Sequence, residues 1–168
     1  MSKSHWRRAH TSDLHAIGAI AARLHPDLPE RPEVFAEKMR LYPDGCRVLI
    51  ADGEIAGYGL SHPWKQHRIP PLDGFLERLP GDADCLYVHD VAILPDARGG
   101  VGRAYVATIE QLARAAGIAT LALVSVYATR PLWERLGFRP VPADAELLAK
   151  LNSYGAGATY MLRGLDAA

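Results

Sequence analysis

One pattern between residues 84 and 126 limits the possible folds of this chain more than any other feature. An apolar run, "DCLYVHDVAIL", is followed by a glycine-rich loop, an amphipathic stretch and a second apolar run, "ATLALVSV". Short apolar runs of this kind are typical of strands covered on both faces. Two such strands joined through a helix predict a βαβ unit with a right-handed crossover. The chain is therefore expected to build an α/β domain.

The loop of this unit, "ARGGVGRA" (97–104), places three glycines directly before the predicted helix, which ends at Gly117. A helix start presents unpaired amides and the positive end of the helix dipole, so the loop predicts an anion site, with phosphate the first candidate. A tight turn that binds nothing is the alternative. A P-loop is excluded because no Gly-Lys-Ser/Thr follows. A dinucleotide fingerprint is disfavoured because Tyr105 occupies the position that needs a small residue.

Periodicity elsewhere predicts helices and strands on both sides of this unit. Asp52-Gly53 predicts a hairpin turn between two β-rich runs in 46–63. Residues 64–82 are predicted to form a long loop with a helical turn at "GFLERL". The remaining strands are predicted at 5–10, 138–141 and 158–165, and the remaining helices after Thr11 or Ser12, after Pro32, at 129–138 and within 143–156.

Composition fits one globular domain spanning residues 1–168, with 49% hydrophobic and 23% charged residues. Basic and acidic residues both number 19, so the net charge of zero disfavours nucleic acid and membrane surfaces as partners. Cys46 and Cys85 have no metal-ligand spacing and are expected to be buried, reduced thiols. The first ten residues lack the apolar core of a signal peptide, so a cytoplasmic protein is expected.

Two segments resemble the GNAT N-acetyltransferase superfamily. "VAILPDARGGVGRAYVATIEQLARAAGI" is similar to its acetyl-CoA-binding motif, which reads Arg or Gln, two residues, Gly, one residue, and Gly or Ala. Arg98 and Gly100-Val101-Gly102 match, with one residue fewer between the Arg and the first Gly. "LWERLGFRPV" (132–141) is similar to a later family segment. The resemblance covers essentially the whole chain and implies a single GNAT-like α/β (α+β) domain, with a mixed, mostly antiparallel central sheet flanked by helices.

The resemblance also implies acetyl-CoA as cosubstrate. The pantetheine arm is expected to run beside Val91, Ala92 and Ile93. The pyrophosphate is expected on the loop amides, with charge from two arginines and packing from Trp133; the residues concerned are Arg98, Gly99, Gly100, Val101, Gly102 and Arg103.

Catalysis requires a base for the attacking amine, and His89 occupies a position where family members carry Glu or His. Strict alternation along the strand places Tyr87, His89 and Val91 on one face and Asp90 on the other. An ordinary imidazole pKa of about 6.5 suits a base near neutral pH. The alternative is that His89 and Asp90 are hydrogen-bonded polar residues of a core strand.

The leaving thiolate needs a proton or a hydrogen bond. The family commonly has a tyrosine at the aromatic position of its later segment, and Trp133 stands at that position here. An indole N–H donates a hydrogen bond but is not a useful acid, so packing is the expected role of Trp133. Tyr127 and Tyr154 are the alternative proton donors. A thiol pKa of about 8.5 also allows departure with hydrogen bonding alone.

The acceptor is expected to be a primary amine of a small molecule or peptide. By the resemblance, "HPDLPERP" and "SHPWKQHR" adjoin its pocket, although a solvated surface position is the expected role of each polar residue there: His25, Asp27, Glu30, His62 and Trp64. The histidines show no metal-binding spacing, so no metal is expected. A homodimer is compatible with such folds.

The sequence thus predicts an acetyl-CoA-dependent N-acetyltransferase that works by direct attack in a ternary complex. The alternative is a non-catalytic acyl-CoA or small-ligand binding module on the same fold. A nicotinamide- or nucleotide-dependent enzyme is the third possibility.

Overall fold

A computed structural model describes residues 3–166, which form five α-helices and seven strands. The strands are β1 (Ser4–Arg8), β2 (Cys46–Ala51), β3 (Glu54–Trp64), β4 (Cys85–Ile93), β5 (Thr120–Ser125), β6 (Arg139–Pro140) and β7 (Thr159–Gly164). The helices are α1 (Leu14–Leu24), α2 (Pro32–Leu41), α3 (Val101–Ala115), α4 (Arg130–Arg135) and α5 (Ala145–Ser153).

All seven strands belong to one sheet, in the order β1-β2-β3-β4-β5-β7-β6. Only β4 and β5 pair in parallel, joined through α3 as the βαβ pattern predicted. The expected mixed, mostly antiparallel sheet flanked by helices is confirmed. The hairpin between β2 and β3 is confirmed too, because Asp52 and Gly53 both have positive φ, at 52° and 85°, as tight hairpin turns require.

Helices cover both faces of the sheet. On one face, Leu86 and Val88 of β4 pack with Tyr105 and Ile109 of α3. On the other face, apolar residues of α1 and α2 cover β2 and β3, and Leu147 and Leu151 of α5 cover β4, β5 and β7. The apolar side chains of the strands thus form a core on each face of the sheet. Polar side chains interrupt the core on the face that α1, α2 and α5 cover.

Two local expectations have definite outcomes. The helical turn expected at residues 74–79 is wrong, since this segment of the described chain has no helical structure, and positive φ at Asp73 and Glu77 bends the backbone instead. Cys46 and Cys85 are free, fully buried thiols, and this expectation is confirmed. Burial raises the pKa of each thiol to about 12.

Candidate active site

The two parallel strands separate at the centre of the sheet. Pairing between β4 and β5 covers Leu86 to Val88 opposite Leu121 to Leu123 and stops there, although β4 continues to Ile93 and β5 to Ser125. The edge of β4 that faces β5 is therefore open from His89 onward. An open strand edge presents backbone donors and acceptors to any extended chain that lies beside it.

A β-bulge in β4 lies at the same point. Leu60 of β3 is opposite Asp90, and Ser61 is opposite Val88, so His89 is an extra residue in β4. The bulge interrupts strict alternation. The expectation that His89 and Asp90 point to opposite faces is therefore wrong. Both side chains lie on the face of the sheet that α1 and α2 cover, where His89 contacts Glu30 and Asp90 contacts His25. The Val91 side chain packs on the other face, which α3 covers.

The glycine loop leads into the start of α3. Gly99 and Gly100 have φ of 129° and 82°, a conformation that side chains disfavour. The helix ladder begins where the amide of Ala104 donates to the carbonyl of Gly100, at 3.1 Å. The amides of residues 101–103 precede this bond and are available to an anion. The indole of Trp6 donates to the carbonyl of Val101 at 2.8 Å and fixes the helix start.

The arginines and the tryptophan of the predicted donor site have different environments. Arg98 and Arg103 are exposed, and the Arg98 Nε donates to the carbonyl of Ile93 at 3.1 Å. The Trp133 ring is 5.6 Å from the Phe138 ring and packs against the α3-side core. Trp133 is thus at least a packing residue, as expected.

A cluster of polar side chains lies on the opposite face of β4, beneath the loop between α1 and α2. The His89 Nε2 is 3.3 Å from a carboxylate oxygen of Glu30, and these side chains are only 2% and 6% exposed. The His25 Nδ1 is 3.1 Å from Asp90, whose other oxygen accepts a hydrogen bond from the Tyr58 hydroxyl. Residues 89 and 90 therefore each hold one residue of this loop.

These contacts change the electrostatics of the cluster. Burial lowers the pKa of His25, but hydrogen bonding to Asp90 and the nearby charges of Asp90 and Glu30 outweigh it, so the pKa is raised. Burial, with a smaller contribution from His89, holds the pKa of His62 well below its usual value. His62 is therefore neutral at neutral pH, while His25 retains a proton to higher pH than an exposed imidazole.

The surface positions expected for the acceptor-side residues are wrong for three of them. His62 is 0% exposed, and the Glu30 and His25 side chains are 6% and 17% exposed. Trp64 is half-buried, and Asp27 is exposed as expected. The loop sequence, rich in proline and charge, gave no indication that it folds inward onto β4.

Sequence reasoning missed Lys38 and Tyr58. Lys38 lies on the buried side of α2, is 1% exposed, and its Nζ has no hydrogen-bond partner within residues 3–166. Burial lowers its pKa, partly offset by Glu30, Glu37 and Asp90. The helical spacing of α2 places Lys38 next to Met39 and three residues after Phe35, which is the signal that could have identified it as buried.

The two tyrosines proposed as proton donors occupy different environments. Tyr127 follows β5, is 44% exposed, and its ring stacks on His25 at 5.5 Å. Its hydroxyl accepts a hydrogen bond from the Asp27 amide at 3.2 Å. The Tyr154 hydroxyl donates to the carbonyl of Pro70 at 2.6 Å, and burial raises its pKa. Tyr127 is the more accessible of the two.

Among residues 3–166, no group of three or more His, Cys, Asp or Glu side chains is arranged to hold a metal ion. Within the same range, no helix has the length and apolar character needed to cross a membrane.

The separated strands and the glycine-capped helix agree with the sequence comparison. A model of the acetyltransferase (GNAT) family matches residues 9–138. The chain belongs to the GNAT acetyltransferase family. Membership in this family indicates acyl-CoA-dependent acyl transfer in general. No curated protein sequence matches the chain significantly.

Solved GNAT structures share the fold. N-acetylglutamate synthase from Neisseria gonorrhoeae, complexed with coenzyme A and N-acetyl-glutamate, aligns with a TM-score of 0.73 and 21% identity over 98% of this chain and 36% of that chain. This chain thus spans about a third of that relative. The ribosomal-protein-S18-alanine N-acetyltransferase from Escherichia coli aligns with a TM-score of 0.68 and 21% identity over 99% and 96%.

A third structure, the GNAT-like decarboxylase GphF in complex with isobutyryl-CoA, aligns with a TM-score of 0.77 and 16% identity over 96% and 100% of the two chains. At these identities the likeness shows the fold. Because this fold also carries a decarboxylase, the reaction of the present chain has to be argued from its own residues.

Proposed function

We propose that this GNAT protein is an acetyl-CoA-dependent N-acetyltransferase that acts on a primary amine of a small molecule or peptide by direct attack in a ternary complex. The observation that carries the proposal is that two features meet at His89. The pairing of β4 with β5 stops just before this residue, which opens the strand edge proposed for the donor, and the His89 side chain belongs to the polar cluster proposed for the acceptor. The donor and the acceptor thus approach one point of β4 from two sides.

The donor side fits the chemistry of coenzyme A. The open edge of β4 at Val91, Ala92 and Ile93 offers backbone partners to the amides of a pantetheine arm. The amides at the start of α3 suit the pyrophosphate, and Gly99 and Gly100 leave their approach uncovered. The positive charges of Arg98 and Arg103 lie beside this loop. When bound there, acetyl-CoA supplies the acetyl thioester.

His89 is the proposed base. Its Nε2 faces Glu30, a carboxylate that only accepts hydrogen bonds when ionised, so Nε2 carries a proton and Nδ1 is left with a lone pair. The amine forms the new C–N bond as its excess proton passes to Nδ1, and the C–S bond of the tetrahedral intermediate then breaks. Tyr127 or Tyr154 is proposed to protonate the leaving thiolate.

A non-catalytic acyl-CoA or small-ligand binding module is the second candidate. The observation that favours it is Trp133, which stands in place of an acidic donor and packs against Phe138. On this reading the donor site is retained and the polar cluster binds a ligand without transfer.

Calorimetric titration tests the donor site first, with acetyl-CoA and CoA compared with NADH and ATP. The N-acetyltransferase proposal expects binding of the two CoA species and not of the nucleotides, followed by thiol release when amines are added. Binding without thiol release for any amine supports the binding module. Absence of CoA binding contradicts both.

Replacing His89 by Gln tests the base. Gln can still donate to Glu30 but cannot accept a proton, so we expect kcat to fall about 100-fold or more, while the Kd for acetyl-CoA stays unchanged. His15→Gln, on the exposed side of α1, is the matched control. Unchanged turnover in the His89 variant would rule out His89 as the base.

A further inference from the structure

Buried polar atoms without partners are concentrated in one part of the described chain. Within residues 3–166, five side-chain atoms are shielded from solvent and make no hydrogen bond, and all belong to residues in or beside the polar cluster. They are Glu30 Oε2, Lys38 Nζ, His62 Nε2, Trp64 Nε1 and His89 Nδ1. Leaving such a group unsatisfied costs about 1–3 kcal/mol, and native proteins contain few of them. Their concentration marks this cluster as the place in the described chain where a polar molecule, either water or a ligand, would be bound.

The five residues adjoin one another. The His62 ring is 5.6 Å from the His89 ring and 5.2 Å from the Trp64 ring, and His89 contacts Glu30. Lys38 is buried on the side of α2 that packs against β3. The unpartnered atoms thus belong to residues of β3, β4, α2 and the loop before α2, which meet on this face of the sheet.

Three of these unpartnered atoms are potential hydrogen-bond acceptors. The His62 Nδ1 is 3.1 Å from the carbonyl of Pro63; since a carbonyl only accepts, Nδ1 carries the proton and Nε2 of the neutral ring is an acceptor. By the same reasoning the Nδ1 of neutral His89 is an acceptor, because its Nε2 faces Glu30. Glu30 Oε2 is the third. Three acceptors match the three N–H bonds of a primary ammonium group.

Lys38 needs a hydrogen-bond acceptor, whereas the three atoms above need donors. Its ammonium can only donate. Two of the carboxylates around it, Glu37 and Asp90, are already engaged by other donors, and the third, Glu30, has one oxygen without a partner but makes no hydrogen bond to Lys38. Both oxygens of Glu37 accept backbone amides, from Leu76 at 2.6 Å and Glu77 at 2.9 Å. Asp90 is bound by His25 and Tyr58. A buried cation without a direct partner is costly, and a ligand carboxylate would satisfy it.

We propose that the acceptor is a small molecule with both a primary amine and a carboxylate, as in a free α-amino acid. Glu30, His62 and His89 bind its amine, and Lys38 binds its carboxylate and determines specificity. This inference rests on the proposed function and narrows its acceptor class. A peptide is disfavoured because the five atoms are shielded from solvent and do not line an exposed groove.

Entry requires this loop to lift. Its outer tethers are the contact of the Asp27 amide with the Tyr127 hydroxyl at 3.2 Å and the pair of Arg31 with Asp73 at 3.0 Å. Both are exposed to solvent. The Arg31 contact is the stronger tether, because its backbone amide and Nε donate to the Asp73 carboxylate and its Nη2 donates to the Asp73 carbonyl, so lifting the loop has to break this set of hydrogen bonds. The inner contacts at His89 and Asp90 then close over the bound molecule.

The test uses the full chain saturated with CoA. L-α-Amino acids are titrated calorimetrically, each compared with its carboxamide and its decarboxylated amine, and the same compounds are assayed for thiol release with acetyl-CoA. We expect at least one amino acid to bind about 10- to 100-fold more tightly than its carboxamide, which corresponds to losing a charged hydrogen bond. If every amino acid binds no more tightly than its carboxamide and its decarboxylated amine, the proposal is overturned.

Lys38→Met tests the residue itself. Met fills the same volume without a charge, so folding is expected to be preserved. We expect KM for the amino acid to rise about 10- to 100-fold, with little change in kcat, in the KM of the carboxamide or in the Kd of acetyl-CoA. Lys150→Met, on the exposed surface of α5, should change none of these. A Lys38 variant with wild-type affinity for amino acids would overturn the assignment.

The two readouts separate this inference from the proposed function. Binding of an amino acid that depends on Lys38, without thiol release for any amine, supports the site and contradicts the N-acetyltransferase. Thiol release that is indifferent to the carboxylate contradicts this inference alone.

Discussion

At the scale of single residues, the face of β4 that carries the proposed active site is organised by His25 as much as by His89. His25 is joined to Asp90 and stacked on Tyr127, so one imidazole connects the loop, the bulged strand and the end of β5. Its pKa is raised because Asp90 and Glu30 favour the charged form more than burial disfavours it. The free energy of this connection therefore depends on pH.

His25→Gln is expected to reduce the free energy of unfolding by about 1 kcal/mol or more at low pH. The extra stability from protonated His25 is complete below its unfolded pKa of about 6.5 and is lost as pH rises through the higher folded-state value. Urea unfolding at about pH 5.5 and about pH 8.5 should thus show a larger loss at the lower pH. His15→Gln serves as the exposed control. An equal loss at both pH values would show that the charge of His25 contributes nothing.

At the scale of elements, the proposed donor site depends on how β4 ends and α3 begins. Gly99 and Gly100 turn the chain with positive φ, and the amides of residues 101–103 precede the first hydrogen bond of the helix. A non-glycine residue at Gly99 would occupy open space but would have to adopt φ of 129°. The conformation, not crowding, is what makes glycine necessary here.

Gly99→Ala is therefore expected to move the loop, and to weaken acetyl-CoA binding about tenfold or more, because such backbone strain costs about 1–3 kcal/mol. Gly18→Ala is the matched control, since Gly18 lies in α1 with nothing near its added Cβ. That change should stabilise the chain by about 0.5–1 kcal/mol and leave acetyl-CoA binding unchanged. Calorimetry and thermal unfolding measure the two effects. Wild-type affinity in the Gly99 variant would contradict the proposed phosphate site.

At the scale of the whole molecule, Tyr105 sets the distance between α3 and the sheet. Its ring lies over Gly59 of β3, where an added Cβ would come within 2.3 Å of Tyr105 Cε2. Its hydroxyl is 2.6 Å from the Ser61 hydroxyl and donates to the carbonyl of Gly45. The bulky residue that argues against a dinucleotide-binding helix is thus a fully buried contact between layers.

Gly59→Ala is expected to destabilise the fold by about 1–3 kcal/mol, because Tyr105 cannot retreat within a close-packed core. Tyr105→Leu should partly rescue it, so that the double variant is less destabilised than the sum of the single variants. Gly164→Ala, with open space at the end of β7, is the control. Chemical denaturation of the wild type, the two single variants and the double variant measures the coupling between Gly59 and Tyr105. Simple additivity would show that the ring and the glycine do not constrain each other.

The sequence by itself determined the βαβ unit, the hairpin at Asp52-Gly53, the glycine-rich turn before α3 and the family resemblance. These features depend on local periodicity and backbone preference, which neighbouring residues specify. Only the tertiary structure decided that His89 and Asp90 share a face, because the bulge exists only through the pairing of β4 with β3. It also decided that Glu30, His62 and Lys38 are buried together, since the burial of a polar residue depends on which distant segments cover it.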